Sequence, residues 1–373
     1  MPSTMILLYG VPMFVGLCAI LWMFWDRIKK PPKKKIFISA DCWLCVFDLL
    51  APSQLGLGIA LISHRFDYYV DEHFKTRKWT LKLIEIRCKM GENGTKEMEI
   101  VNDDGKALPI PQIQLPRKVT GFECIKISFI DQNAIAFLHR FRPLFAACPI
   151  NLYIDTTNDH ILEFILHNIW PMIGKNIRFM RSHVFHRLRQ FVPSILNDCP
   201  SLRVVFYSDA DMFPEFPCDD SAMASDGQAV AKWLFTPRPD NVPKEFHFSS
   251  IWDHGIFASW IETFKATFAN ASSPVNVIFF ICYFWKSFAD SIVPFDLTNE
   301  LTREQLVLKR IGSYCFLLVR CPIARDADKW AKWEKEANFF EIDDQWNIIE
   351  FDEDAIGDGL LDETPGPSDQ QQK

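Results

Sequence analysis

A stretch of 21 residues without a charged side chain, from Met5 to Trp25, constrains this chain more than any other feature of its sequence. A helix of about 20 apolar residues is long enough to cross the hydrocarbon core of a bilayer. A secretory signal peptide begins with positive charge and ends in small residues, whereas this stretch has no cation before it and ends in bulky aromatic residues. The sequence therefore predicts a transmembrane anchor at residues 1–25, which contacts the lipid bilayer through residues 5–25.

A cluster of cations follows this stretch directly and forms a basic linker at residues 26–36. Its members are Arg27, Lys29, Lys30, Lys33, Lys34 and Lys35. Because Lys and Arg are retained on the cytoplasmic flank of a membrane-spanning helix, the cluster predicts a single-pass membrane protein whose C-terminal region is cytoplasmic. The 11 cysteines agree with this prediction, since they form no compact disulfide framework and are typical of reduced thiols.

The composition indicates a folded protein that does not bind nucleic acid. Hydrophobic residues make up 49% of the 373 residues, which is enough for a substantial core. The net charge is −7, and the only basic run is the linker, so no broad cationic face is available to nucleic acid.

Residues 37–78 show the spacing of three short helices. Apolar residues recur at helical intervals in three groups, and Pro52 separates the first group from the second. The expected inward residues are Trp43, Val46, Phe47 and Leu50 in the first helix, Leu55, Ile59 and Ile62 in the second, and Phe66, Val70 and Phe74 in the third. So small a helical domain is unable to bury all of its apolar surface alone, so we expect it to pack on the C-terminal region or to dock on another protein.

The same segment resembles an F-box. The resemblance lies in a helix ending in Phe47-Asp-Leu-Leu50, a proline break, the string Leu55-Gly-Leu-Gly-Ile-Ala-Leu-Ile-Ser-His-Arg-Phe66 and the ending Val70-Asp-Glu-His-Phe74. More narrowly, it is similar to the F-boxes of large nematode families that join this motif to a C-terminal region. The strings Lys232-Trp-Leu-Phe-Thr-Pro-Arg238 and Arg320-Cys-Pro-Ile-Ala-Arg325 resemble those families as well.

The resemblance implies that the segment binds a Skp-type adaptor, which links it to a cullin ligase core, while the C-terminal region binds an unidentified protein substrate. The adaptor contacts would be apolar helix faces laid into a groove. They fall on Phe37, Ile38, Val46, Phe47, Leu50, Leu55 and Ile59. Two alternatives stay open: these residues are ordinary core of the following region, or the F-box, which opens with Ile38-Ser39 in place of the usual Leu-Pro, has lost its adaptor.

Strand-like and helix-like patterns alternate in the C-terminal region at residues 79–350, the predicted substrate-recognition region. Ile125, Leu152, Ile177 and Leu202 mark strands at spacings of 27, 25 and 25 residues, within the range of leucine-rich repeats. A doubly wound sheet gives nearly the same alternation. Three antiparallel strands are expected later in the region, at 295–299, 304–309 and 314–321.

The predicted fold class is therefore α/β. It combines an N-terminal transmembrane helix, a three-helix F-box-like unit at 37–78, and a strand-helix alternating, leucine-rich-repeat-like region with late antiparallel strands. The tail at residues 351–373 is acidic and rich in Pro, Gly, Ser and Gln, and is predicted to be disordered.

One pattern favours an enzyme instead of an adaptor. Asp209 and Asp211 form an Asp-x-Asp just after a predicted strand, and such a pair holds a divalent metal against a nucleotide-sugar diphosphate in glycosyltransferases. His183 and His186 lack a partnering carboxylate at an informative spacing, and the chain has no phosphate-binding glycine loop. We therefore predict a membrane-anchored F-box adaptor with no catalytic, cofactor-binding or metal-binding residues, and keep a type II membrane glycosyltransferase with a metal site at Asp209 and Asp211 as the alternative.

Overall fold

The computed structural model describes most of the chain after its first 37 residues. The described ranges are 38–50, 54–76, 79–91, 94, 96–102, 105–108, 119–182, 185–207, 213–251, 254–283, 286–338, 346–351 and 357–358. The chain divides into two compact units, Met1–Leu49 and Leu50–Lys373. The boundary between them lies inside the predicted 37–78 domain.

The first unit contributes one described helix, α1, at Ala40–Phe47. Ser39 is its N-cap, because the Ser39 side chain accepts a hydrogen bond from the backbone N–H of Cys42. Trp43 and Phe47 lie one turn apart on the helix with their ring centres 6.4 Å apart. Phe47 is buried.

The second unit begins with irregular helical turns and continues as an α/β structure. A π-helical turn at Leu55–Ile59 and a 3-10 turn at Ala60–Ile62 precede the first long helix. The other helices, numbered along the chain, are α2 His64–Thr76, α3 Gln132–Ala147, α4 Asp159–Phe164, α5 Trp170–Ile173, α6 Phe185–Phe191, α7 Asp226–Leu234, α8 His254–Ala269, α9 Lys286–Ser291 and α10 Ala327–Glu336. Between α4 and α5 the backbone forms a second π-helical turn, Ile165–Ile169.

Most strands join one mixed sheet. The strands are β1 Trp79–Leu81, β2 Ile84–Met90, β3 Lys96–Asn102, β4 Ala107–Leu108, β5 Val119–Phe122, β6 Cys124–Ile127, β7 Phe129–Ile130, β8 Ile150–Ile154, β9 Ile177–Ser182, β10 Val204–Tyr207, β11 Lys244–Ile251, β12 Val277–Tyr283, β13 Phe295–Asn299, β14 Glu304–Arg310, β15 Cys315–Pro322, β16 Ile348–Phe351 and β17 Gly357–Asp358. Thirteen of them form the sheet in the order β13-β14-β15-β12-β11-β10-β9-β8-β16-β6-β2-β3-β4. The α/β class is thus confirmed.

The middle of the sheet is parallel, and its strands from β8 to β12 lie side by side in chain order. A helical segment connects each of these strands to the next, because adjacent parallel strands need a long crossover connection. The strands at Ile125, Leu152 and Ile177, and the one beginning just after Leu202, are all present. The prediction of a leucine-rich-repeat-like array is nevertheless wrong, because β16 lies between β6 and β8 and interrupts the run that a repeat array would continue.

The antiparallel strands at one end of the sheet lie where the sequence predicts them. β13 pairs with β14, β14 with β15, and β15 with β12, all antiparallel. Inside this end, Arg320 and Glu304 form a buried ion pair, with 2.7 Å between Nη2 and Oε2. Glu304 also accepts a hydrogen bond from the backbone N–H of Val275 through its other oxygen.

The strand β12 is buried on both faces of the sheet. On one face, Phe279 contacts Trp260 and Phe264 of α8. On the opposite face, Ile278 and Phe280 belong to a core cluster with Trp330 of α10. Burial on both sides explains why the segment Val277–Tyr283 is an unbroken apolar run instead of an alternating one.

The membrane prediction is corrected by the structure. Among the described residues no helix is long and apolar enough to cross a bilayer. The longest described helices, α3 and α8, have 16 residues each, against the roughly 20 that a spanning helix needs. The anchor predicted at residues 5–25 lies outside the described residues. The N-terminal transmembrane helix and the single-pass membrane location with a cytoplasmic C-terminal region are therefore unsupported, and they form no part of the function proposed below.

Candidate functional site

The seven residues predicted to contact a Skp-type adaptor differ widely in exposure. Two are open to solvent: Ile38 is 42% exposed and Val46 is 43% exposed. Phe47 and Leu55 are each 1% exposed, and Leu50 and Ile59 are half-buried. Phe37 lies outside the described residues. Only part of the predicted set is therefore available to a partner in this conformation.

Helix α1 and the turn that follows it carry an apolar stripe that faces solvent. The exposed residues are Cys42, Cys45, Val46 and Leu49. The last three lie three, four and seven residues after Cys42, which is the spacing of one helix face. Leu49, which the sequence reasoning did not select, is 85% exposed. With Phe47 buried on the other side, this short helix is apolar around most of its circumference. We call Cys42, Cys45, Val46 and Leu49 the outer stripe.

The second unit presents exposed apolar side chains of its own, at Leu61, Ile62 and Tyr68. Val70 and Phe74 of α2 are buried as the sequence predicts, but Ile62, predicted to point inward, is exposed. The π-helical turn at Leu55–Ile59 explains this error. A π-turn adds a residue to the helical repeat, so it shifts Ile62 away from the face on which Leu55 is buried.

The residues of the glycosyltransferase alternative are not described by the structure. β10 ends at Tyr207, and residues 208–212, which include Asp209 and Asp211, lie outside the described residues, as does His183. His186 is exposed on α6. Within the described ranges no three His, Cys, Asp or Glu side chains are grouped so that they could hold a metal ion. No described observation favours the enzyme.

The buried cysteines are poor candidates for reactive thiols. Burial, and to a smaller extent the charge of Glu350, raise the pKa of the half-buried Cys124 to about 12. Burial likewise raises the pKa of Cys199 to about 12. A thiol with such a pKa is almost fully protonated near neutral pH, so these side chains act as core residues.

A cleft with three arginines opens at the amino ends of the parallel strands. It measures about 440 Å³, and its charged lining residues are Arg178, Arg203, Arg238 and Asp240. The remaining lining residues are Ala146, Ala147, Cys148, Pro149, Asn176, Ser201 and Val242. We call this the arginine cleft. The sequence reasoning missed it, because its three cations come from separate segments and form no motif.

Desolvation and neighbouring charges both act on the cations in and beside the arginine cleft. Desolvation of the guanidinium lowers the pKa of Arg178, although the residue as a whole is exposed, and the neighbouring Arg203 lowers it further. Beside the cleft, burial and then the charge of Arg238 lower the pKa of Lys244 to about 8. In both cases desolvation is the larger cause and a neighbouring arginine adds to it, while Glu245 and Glu336 act in the opposite direction on the pKa of Arg178.

Comparison with known proteins assigns no family to the chain. No protein-family model matches it, and no curated protein matches it either.

Proposed function

We propose that this chain is an F-box-like substrate adaptor. In this proposal, α1 docks on a Skp-type adaptor of a cullin ubiquitin ligase, and the α/β unit presents a surface to a protein substrate. The observation that carries the proposal is the outer stripe of α1 and its following turn, an apolar face left open to solvent while Phe47 of the same helix is buried.

An exposed stripe at helical spacing is what helix-in-groove recognition requires. A partner reads such a helix through anchors three, four and seven residues apart, and Cys42, Cys45, Val46 and Leu49 have these intervals. Burying a leucine side chain that is open to solvent contributes about 1.5–3 kcal/mol. Leu49 is 85% exposed, so docking would recover most of that free energy.

The proposal divides the residues implied by the F-box resemblance into two groups. Ile38 and Val46 are exposed and would touch the adaptor directly. Phe47 and Leu55 are buried and would instead support the helices that present the contacts. Leu49 joins the first group on the evidence of its exposure.

The exposed positions permit a test that does not disturb folding. We expect Val46→Asp with Leu49→Asp to reduce capture by a purified Skp-type adaptor at least tenfold, because two carboxylates would lose their hydration in an apolar groove. Met223→Asp is the matched control, since Met223 is 95% exposed and lies in the second unit. Equal capture of the double variant and the control would remove the adaptor proposal. Thermal unfolding of both variants checks that neither change alters the fold.

A further inference from the structure

We propose that the arginine cleft is a binding site for a phosphate monoester. The site lies within the α/β unit and does not depend on the F-box proposal. Three features support this site: the pairing of its three guanidinium groups, the balance of charge around them, and the shape of the cleft.

Arg203 is the most buried of the three arginines that line the cleft, and its hydrogen-bonding capacity is incompletely used. It is 7% exposed, and its Nη2 lies 2.5 Å from Oε1 of Glu245 while Nη1 lies 3.2 Å from Oε2 of Glu336. The contact with Glu336 is a hydrogen bond. In the contact with Glu245, Nη2 and Oε1 are close enough for an ion pair but are not aligned for a hydrogen bond. Nε of Arg203 is buried with no hydrogen-bond partner. A buried N–H without an acceptor is costly, so the site favours an additional acceptor.

Arg238 and Arg178 differ in the number of hydrogen bonds that their guanidinium groups form within the protein. Arg238 is fixed, because it binds Asp240 through Nε and Nη2 at 3.0 and 2.7 Å and donates from Nη1 to the backbone carbonyls of Ser201 and Leu202. The guanidinium of Arg178 forms no hydrogen bond or close ion pair with the described residues, although Glu245 and Glu336 attract its charge from a greater distance. It therefore remains available to an anion that enters the cleft.

The charges around the cleft do not cancel. The cations are Arg178, Arg203, Arg238 and Lys244, and the carboxylates are Asp240, Glu245 and Glu336. The carboxylate of Glu336 is partly exposed on α10, whereas that of Glu245 is buried. The cleft thus holds one positive charge in excess, which an entering anion would offset. Water screens this attraction less inside the cleft than at the surface.

The geometry of guanidinium groups and the apolar part of the lining favour a phosphate ester over a simple anion. The planar fork of arginine matches the oxygens of a phosphate in paired hydrogen bonds. Ala146, Ala147, Pro149 and Val242 provide an apolar wall beside the arginines. A volume of about 440 Å³ falls in the range of small-molecule sites and exceeds what a bare phosphate occupies. The organic group of the ester would lie against this wall.

Calorimetric titration of the full-length protein tests the site. The probes are inorganic phosphate, O-phosphoserine, a nucleoside monophosphate and succinate, each at low and high salt. We expect the two esters to bind more tightly than inorganic phosphate, succinate to bind at least tenfold more weakly than the esters, and added salt to weaken all binding. The tighter of the two esters identifies the kind of molecule that carries the phosphate.

One variant and one control decide the assignment. Arg178→Gln removes an exposed cation of the cleft, and we expect it to weaken ester binding at least tenfold. Lys96→Gln makes the same change in charge at the start of β3, five strands away from β9 in the sheet order, and we expect this variant to bind the esters as the wild type does. Unchanged binding by Arg178→Gln, equal weakening by both variants, or no binding of any phosphate probe by the wild type would overturn the proposal. Thermal unfolding confirms that each variant is folded.

Discussion

Replacing Lys244 with methionine removes a cation that the protein buries at the start of β11. Lys244 is 7% exposed, donates a hydrogen bond to the backbone carbonyl of Trp233, and lies 5.0 Å from the centre of the Trp233 ring. Methionine keeps an unbranched apolar side chain of similar length. The carbonyl of Trp233 also retains the hydrogen bond from the backbone N–H of Thr236, so the change leaves no orphaned backbone group.

The expected magnitude follows from the pKa of Lys244. Burial, reinforced by the charge of Arg238, lowers this pKa from 10.5 to about 8. One pH unit of difference between folded and unfolded pKa corresponds to about 1.4 kcal/mol, so the protonated lysine costs the folded state about 3 kcal/mol. Between pH 8 and 10.5 the unfolded chain holds a proton that the folded chain has released. The contribution of Lys244 to the free energy of unfolding therefore rises with pH across that window and is constant below it.

Urea denaturation of the wild type and Lys244→Met between pH 7 and 10.5 measures this contribution. Buried thiols such as Cys124 and Cys199 act in the opposite direction, because their folded pKa lies above the unfolded value and their contribution to stability falls as pH rises. They are common to both proteins, so they cancel in the difference. We expect the free energy of unfolding of the variant minus that of the wild type to fall by about 3 kcal/mol from pH 7 to pH 10.5. A difference that is constant over this range would refute the reasoning.

Two further predictions concern packing and buried charge. Gly227→Ala should lower the free energy of unfolding by about 1–3 kcal/mol, because the added Cβ would lie 2.5 Å from the carbonyl oxygen of Phe213. Gly58→Ala is the control, since a Cβ added there meets nothing within 4 Å, and it should be neutral or stabilising. Thermal denaturation measures the melting temperatures of the two glycine variants, and similar values would contradict the prediction. Glu304→Gln should cost about 3–5 kcal/mol by leaving Arg320 buried without its counter-ion. Adding Arg320→Met should restore part of that loss in urea denaturation, and a further loss would count against a charge effect.

The parts of the fold that the sequence predicts are those set by local patterns. Ile125, Leu152 and Ile177 are chosen from local apolar patterns, and each of them lies in a strand. The three late antiparallel strands follow one another closely, so their pairing is visible from their spacing. Such features depend on neighbouring residues alone and need no knowledge of the rest of the chain.

The parts that escape prediction depend on distant contacts or on small changes of helical phase. The strand β16 pairs with β6 and β8, from which more than half of the described chain separates it, and no local signal selects those partners. Ile62 is exposed because one π-turn shifts the helical repeat. The arginine cleft is assembled from residues on different segments. Of the adaptor face, the sequence predicts Ile38 and Val46 as contacts, but the exposure of Leu49 becomes visible only in three dimensions.

The position of β16 has a consequence for the order in which the protein is completed. Ribosomes release the N-terminal strands first, yet β6 and β8 share no hydrogen bonds with each other and meet only through a strand synthesised near residue 350. Until that segment emerges, the nascent sheet has two facing edges with unsatisfied backbone groups, which are sites for aggregation or chaperone binding. Termination of translation before Ile348 would leave this gap permanently open, so a late nonsense mutation would damage the centre of the molecule and not merely its end.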